Sequence, residues 1–145
     1  MELKDTVGNL RKYSVGLINL GNTCYMNAAL QCLFNIKELT NYFLLNLYQK
    51  EINHSNVMGS KGRVAEAYGE LVNNAFKGQN STVRPKFLKE ILGGVNDQFS
   101  GYEQQDSAEL LNYIIDTLHE DLNWVREKQY IEYPKFKTEP DSECA

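Results

Sequence analysis

Gly16-Leu17-Ile18-Asn19-Leu20-Gly21-Asn22-Thr23-Cys24-Tyr25-Met26-Asn27-Ala28-Ala29-Leu30-Gln31-Cys32-Leu33 changes character at Cys24. The first eight residues hold two glycines and two asparagines, the composition of a loop. Beyond them Met26, Ala29, Leu30, Leu33 and Phe34 fall three and four apart, as one buried helical stripe does. The spacing predicts a helix from near Thr23 to near Asn35, with Asn22 or Thr23 as its cap. Cys24 then lies on the first turn, at the positive end of the helix among unpaired N–H groups. Such a field favours a thiolate, the reactive form of cysteine. On a helical wheel Cys24 points about 150° away from the apolar stripe, towards a cleft or a partner. Asn19 stands five residues earlier on the approach loop. Its amide and the Cys24 N–H are candidate donors to a developing oxyanion, and one such donor is worth about 3 kcal/mol of barrier. Plainer readings stand beside these. A cysteine at a helix start is often structural, and Asn19 can simply hold a turn. Cys32 reads as a small buried hydrophobe.

Beyond this stretch, helical spacing continues nearly throughout. A second helix is expected over Lys37–Tyr48, with Leu39, Tyr42, Phe43 and Leu47 inward. A polar loop with Asn53, Asn56, Gly59, Ser60 and Gly62 follows. Val64, Ala67, Tyr68, Leu71, Val72 and Ala75 predict a third helix that stops near Lys77-Gly78. Pro85 opens a short helix bearing Phe87, Leu88, Ile91 and Leu92, and Gly93-Gly94 is read as its end. The last helix is expected over Asp106–Leu122, with Leu111, Ile114, Ile115, Leu118 and Leu122 as its stripe. Tyr130, Ile131 and Tyr133 suggest a strand or a further segment. The polar stretch Lys135–Ala145 reads as a frayed or truncated tail. The expectation is an all-α domain of five or six helices over residues 1–134, a tail over 135–145, and no assigned strand.

Composition narrows the partners. The 145 residues are 42% apolar and 23% charged, with a formal charge of -4. The basic residues are scattered rather than striped, which argues against nucleic acid. Tyr13 to Ile36 carries no charge and is long enough to cross a bilayer. Its many amides would be costly in hydrocarbon, so a soluble protein without membrane contact is expected. Three cysteines, Cys24, Cys32 and Cys144, fit neither a disulfide framework nor a zinc ribbon and point to a reducing compartment.

A second segment carries chemistry: Gly101-Tyr102-Glu103-Gln104-Gln105-Asp106-Ser107-Ala108-Glu109-Leu110-Leu111. Asp106 followed by Glu109 reads as a variant of the capping box, with aspartate as cap. Glu109 falls roughly opposite the apolar stripe, where a partner can reach it.

The stretch Gly16–Leu33 resembles the cysteine box of the ubiquitin-specific proteases, nearly continuously over its length. Gly101–Leu111 resembles the family's glutamine-glutamine-aspartate box. Leu118-His119-Glu120-Asp121-Leu122-Asn123 resembles the branch whose catalytic domain carries a long insertion. The resemblance implies the helical thumb of a papain-like cysteine protease fold, with Cys24 as nucleophile and Asn19 in the oxyanion hole. It places Asp106, Glu109, Gln104 and Gln105 on the channel for ubiquitin's tail, Leu-Arg-Leu-Arg-Gly-Gly. Carboxylates suit the tail's arginines. The implied reaction cuts the bond after ubiquitin's terminal glycine, with ubiquitin and ubiquitinated proteins as partners and a cytoplasmic or nuclear setting. It needs no cofactor and no metal site in this segment.

The family's palm, with its Gly-His-Tyr-type histidine box, and its zinc-binding fingers are absent from these residues. Only two histidines are present. His54 falls in the polar loop. His119 lies thirteen positions beyond Asp106, about 20 Å along a helix, against a proton-transfer reach of about 3 Å. The 145 residues alone are therefore expected to be inactive. The alternative is a catalytically inactive ubiquitin-binding or scaffold module.

Overall fold

The computed structural model describes residues 15–125. Its order is β1 (Gly16–Leu17), α1 (Cys24–Phe34), α2 (Lys37–Leu44), a 3-10 turn (Leu47–Lys50), α3 (Arg63–Lys77), β2 (Thr82–Val83), α4 (Lys86–Val95), a second 3-10 turn (Asp97–Phe99) and α5 (Ser107–Asp121). Tyr130, Ile131, Tyr133 and the stretch 135–145, for which a further segment and a tail are expected, lie outside the described residues.

Helix α3 is the axis of the core. Val64, Ala65, Ala67, Tyr68, Leu71, Val72, Ala75 and Phe76 are all buried on it, and α2, α4 and α5 pack against it. Aromatic rings fill the junction. The Phe43 ring lies 4.8 Å from Tyr48 and 4.8 Å from Tyr68, and Phe34 meets Phe76 edge-on at 5.5 Å. Burying each phenylalanine ring stabilises the fold by about 1.5–3 kcal/mol. Gly69 makes this possible, because a Cβ there would stand 2.4 Å from the Tyr48 ring.

The helical architecture agrees with the sequence reading, and the differences have local causes. The two short strands pair in parallel, Gly16 opposite Thr82 and Leu17 opposite Val83. Two residues are too few for a period of two to be visible. Helix α2 stops at Leu44, because Asn46 turns left-handed (φ 55) and starts the 3-10 turn. Leu47 is therefore 46% exposed, and Tyr48 goes inside instead. Gly93 and Gly94 do not end α4, which runs on to Val95. Gly93 serves close packing: a Cβ there would lie 2.8 Å from Ser100 Cα.

Helix α5 buries Leu110, Ile114, Thr117, Leu118 and Asp121. Ile115, expected in the stripe, is 45% exposed, and Leu111 and Leu122 are half-buried. The face is rotated because a carboxylate is part of it. Asp121 Oδ1 accepts from Ser60 N (2.6 Å), and Oδ2 accepts from Ser60 Oγ (2.5 Å) and Ala65 N (3.2 Å). Ser60 Oγ in turn accepts from Val64 N at 2.8 Å. Gly62, the N-cap of α3, has no side chain, so the end of α5 and Ser60 supply the acceptors that α3's first N–H groups need. No described helix is long and apolar enough to cross a membrane.

Candidate active site

The approach loop is built around Asn19. Its Oδ1 accepts hydrogen bonds from Gly21 N (2.9 Å), Thr23 N (3.1 Å) and Thr23 Oγ1 (3.1 Å). Gly21 (φ 106) and Asn22 (φ 52) both take left-handed conformations, the kind glycine and asparagine adopt at least cost. The chain thereby turns sharply into α1, with Cys24 as its first residue. Three donors on one oxygen fix the amide's orientation and leave Nδ2 unused. It makes no hydrogen bond among the described residues, and Asn19 is exposed.

Neither expected cap closes α1. Thr23 occupies the N-cap position, but its hydroxyl turns back to accept from Leu20 N at 2.9 Å. The N-terminal N–H groups of α1 therefore have no side-chain cap, and its first turn carries no acid. Cys24 is exposed at this open, positive end. Tyr25 and Met26 beside it are buried and anchor the turn. Burial first, and the neighbouring Cys24 second, push the Tyr25 phenol above its ordinary value. The amides of the uncharged stretch also find their use. Asn27 Nδ2 donates to Leu17 O (3.2 Å) and Gln31 Nε2 to Val15 O (2.7 Å), lacing the approach strand along α1. Cys32 is exposed, not buried as expected. It lies with Ala28 and Asn35 on the outer face of α1, away from the stripe that contains Met26, Leu30 and Leu33.

The second segment meets the first at this end. Asn22 Nδ2 donates to Tyr102 O (3.0 Å), and the Tyr102 ring lies against Gly21. Asp106 is the N-cap of α5, with Oδ1 accepting from Ala108 N (2.7 Å) and Glu109 N (3.2 Å). The reciprocal bond, from Asp106 N to the Glu109 carboxylate, is not formed among the described residues, and Glu109 is exposed. Gln104 is exposed and Gln105 half-buried, and neither side chain is hydrogen-bonded among the described residues. Helices α1 and α5 pack together. Their later turns share an apolar groove lined by Leu33, Ile36, Ile115, Leu118 and His119. The two helices thus run parallel, with Cys24 and Asp106 at one end and His119 at the other. From Cys24 to Leu33 alone the rise is about 13 Å. His54 is equally remote: its neighbour Asn53 donates to Asp121 O (2.8 Å) at the end of α5, and His54 Nδ1 lies 3.0 Å from Lys61 O.

One contributor escaped the sequence reading. Lys89 Nζ donates to the carbonyls of Phe99 and Gly101, fixing the turn that leads into the second segment. Desolvation lowers its pKa from the ordinary 10.5. Nothing in the spacing of α4 marks it.

Residues 15–142 match the family model described as ubiquitin carboxyl-terminal hydrolase. The chain is 51% identical over 130 residues to ubiquitin carboxyl-terminal hydrolase 4 of Bos taurus, covering 90% of this chain and 14% of that protein. It is 48% identical over 130 residues to ubiquitin carboxyl-terminal hydrolase 15 of Homo sapiens, covering 90% and 13%. It thus spans about one seventh of the length of these relatives. Among solved structures, the SAGA DUB module of Ubp8 with Sgf11, Sus1 and Sgf73 bound to monoubiquitin superposes with a TM-score of 0.63 at 23% identity, covering 77% of this chain and 25% of that one. This likeness speaks for the fold. The helical architecture, the cysteine-bearing loop and the match over most of the chain lead to one assignment: this chain belongs to the ubiquitin carboxyl-terminal hydrolase family, in its ubiquitin-specific protease branch.

Proposed function

We propose that this chain carries the nucleophile and the oxyanion donors of a cysteine-type deubiquitinase, which hydrolyses the bond after the C-terminal glycine of ubiquitin. The observation that carries this reading is the state of Asn19. Its oxygen is used up by the loop while its amide N–H groups make no hydrogen bond among the described residues, five residues before an exposed cysteine at an uncapped helix end. Family membership supports it.

In this reading Cys24 Sγ attacks the carbonyl carbon of ubiquitin's last residue. The oxyanion accepts from the Cys24 N–H and Asn19 Nδ2. The leaving amine takes a proton, and water then releases the acyl group from sulfur. The proton is carried by a histidine that this chain does not supply, since His54 and His119 both lie at the far end of α5. The 145 residues alone therefore do not turn over substrate. Asp106 and Glu109 receive the arginines of the ubiquitin tail, and Gln104 and Gln105 belong to the same surface. Asp106 Oδ1 is engaged as the cap, and a carboxylate has acceptor sites to spare. Ubiquitin and ubiquitinated proteins are the partners. The exposed free thiols fit a cytoplasmic or nuclear setting.

The test is a chimera. The homologous segment of ubiquitin carboxyl-terminal hydrolase 4 is replaced by this chain, and hydrolysis of a ubiquitin C-terminal fluorogenic substrate is followed. Turnover by the chimera and none by the 145 residues alone is the expected result. A folded chimera that binds ubiquitin without cleaving it would instead favour a non-catalytic binding module.

A further inference from the structure

A cleft of about 270 Å³ opens beside the oxyanion loop, with Asn19, Arg84, Lys86, Lys89, Glu90 and Tyr102 in its lining. Three cations therefore face one carboxylate. Glu90 does little to neutralise them. Its pairing with Lys86 spans 3.7 Å between side chains that are both more than half exposed, the kind of ion pair that contributes little. Lys89 is held in place by two backbone carbonyls, which orient its ammonium without cancelling its charge. Arg84 is exposed and makes no hydrogen bond or ion pair among the described residues. Its backbone is fixed between β2 and the buried Pro85, so an uncommitted guanidinium is presented at a set place. Helix α4 starts at Lys86 without a side-chain cap, and its positive end adds to the same field.

Charge is thus sorted around the nucleophile loop. The acids of the second segment, Asp106 and Glu109, suit the basic ubiquitin tail. The cationic cleft repels that tail and suits acidic side chains. We infer that the cleft is a subsite for acidic side chains on the leaving-group side, so that conjugates with aspartate or glutamate near the modified lysine are preferred. This rests on the reading of Cys24 as nucleophile and adds to it a substrate class. Arg84 is the residue that chooses, since its guanidinium forms a planar two-point contact with a carboxylate.

The test uses the chain itself and no ubiquitin, so that it fails or succeeds apart from the deubiquitinase reading. Two short peptides carrying an N-terminal chloroacetyl group, one with two glutamates and one with two lysines, are offered at low ionic strength. Alkylation is read at Cys24 and at Cys32 by peptide mass mapping. Cys32 is also exposed on α1 and serves as the internal reference. The glutamate peptide should label Cys24 at least roughly threefold faster than the lysine peptide, with the difference collapsing in about 0.5 M salt. At Cys32 the two rates should be alike. The double variant R84E/K86E should reverse the Cys24 preference, and R84Q/K86Q should abolish it, both with an unchanged circular dichroism spectrum. Equal rates at Cys24, or a preference that survives both double variants, would overturn the subsite.

Discussion

Asn22 Nδ2 donates a hydrogen bond to the Tyr102 carbonyl oxygen over 3.0 Å, joining two loops that are eighty residues apart in the chain. That contact brings the cysteine-bearing segment and the second segment to one end of the α1–α5 pair. Asn22 also holds a positive φ of 52. Two substitutions separate the two roles. Asn22→Gly keeps the backbone and loses the bond, for an expected cost of about 1 kcal/mol. Asn22→Val loses both, and the left-handed β-branched residue should add roughly 1–2 kcal/mol. Urea denaturation of the two variants measures the difference.

Asn19 offers a similar separation. Asn19→Asp keeps an oxygen for Gly21 N and Thr23 N but replaces the free amide with a second carboxylate oxygen. In the chimera, kcat should fall on the order of 10²–10³-fold while the thermal midpoint changes little. Asn19→Ala should lower both. A fully active Asn19→Asp enzyme would show that the residue is only a turn-holder.

For Asp106 the cap and the charge come apart in the same way. Asn is as good an N-cap as Asp, so Asp106→Asn should leave stability nearly unchanged and weaken ubiquitin binding. Asp106→Ala should also cost about 1 kcal/mol of stability. Glu109→Gln changes an exposed side chain that takes no part in the cap, and should affect binding alone. A ubiquitin titration beside thermal melts reads all three.

Tyr68 carries the pH prediction. Burial pushes its phenol above the ordinary 10.0, and its hydroxyl has no hydrogen-bond partner among the described residues. Burial acts in the same direction on Tyr25 and Tyr113, and burial with the Glu51 hydrogen bond does so on Tyr42. Well below pH 10 these phenols are protonated in both states and contribute no slope. Above it the unfolded chain loses protons that the folded one keeps, so stability falls as pH rises. Tyr68→Phe should make that fall shallower. Near pH 8 it should be neutral or more stable by up to about 1 kcal/mol, because it removes an unpaired buried hydroxyl. Urea midpoints at about pH 8 and pH 10.5 decide it.

The helices were legible wherever apolar residues repeat over several turns. Every residue expected inside α3 is buried, and so are Met26, Ala29, Leu30, Leu33 and Phe34 of α1. The placement of Cys24 on the first turn of α1 and of Asp106 as a cap was legible too, because both follow from where a stripe begins. What stayed hidden depends on contacts between distant segments. A buried carboxylate at Asp121 rotates α5 and exposes Ile115. Gly93 reads as a helix stop until Ser100 is seen against it. Cys32 looks like core by type, yet its angle on α1 points it outward. Lys89 is an unremarkable helix lysine until the Phe99–Gly101 turn closes on it.

Two exposed cysteines on one helix make the sharpest experiment of all. The chimera is treated with ubiquitin bearing a C-terminal electrophile, digested, and searched for the modified peptide. The adduct should sit on Cys24, vanish in Cys24→Ala and persist in Cys32→Ala. Modification of Cys32 instead, or an adduct that survives Cys24→Ala, would contradict the assignment of Cys24 as nucleophile.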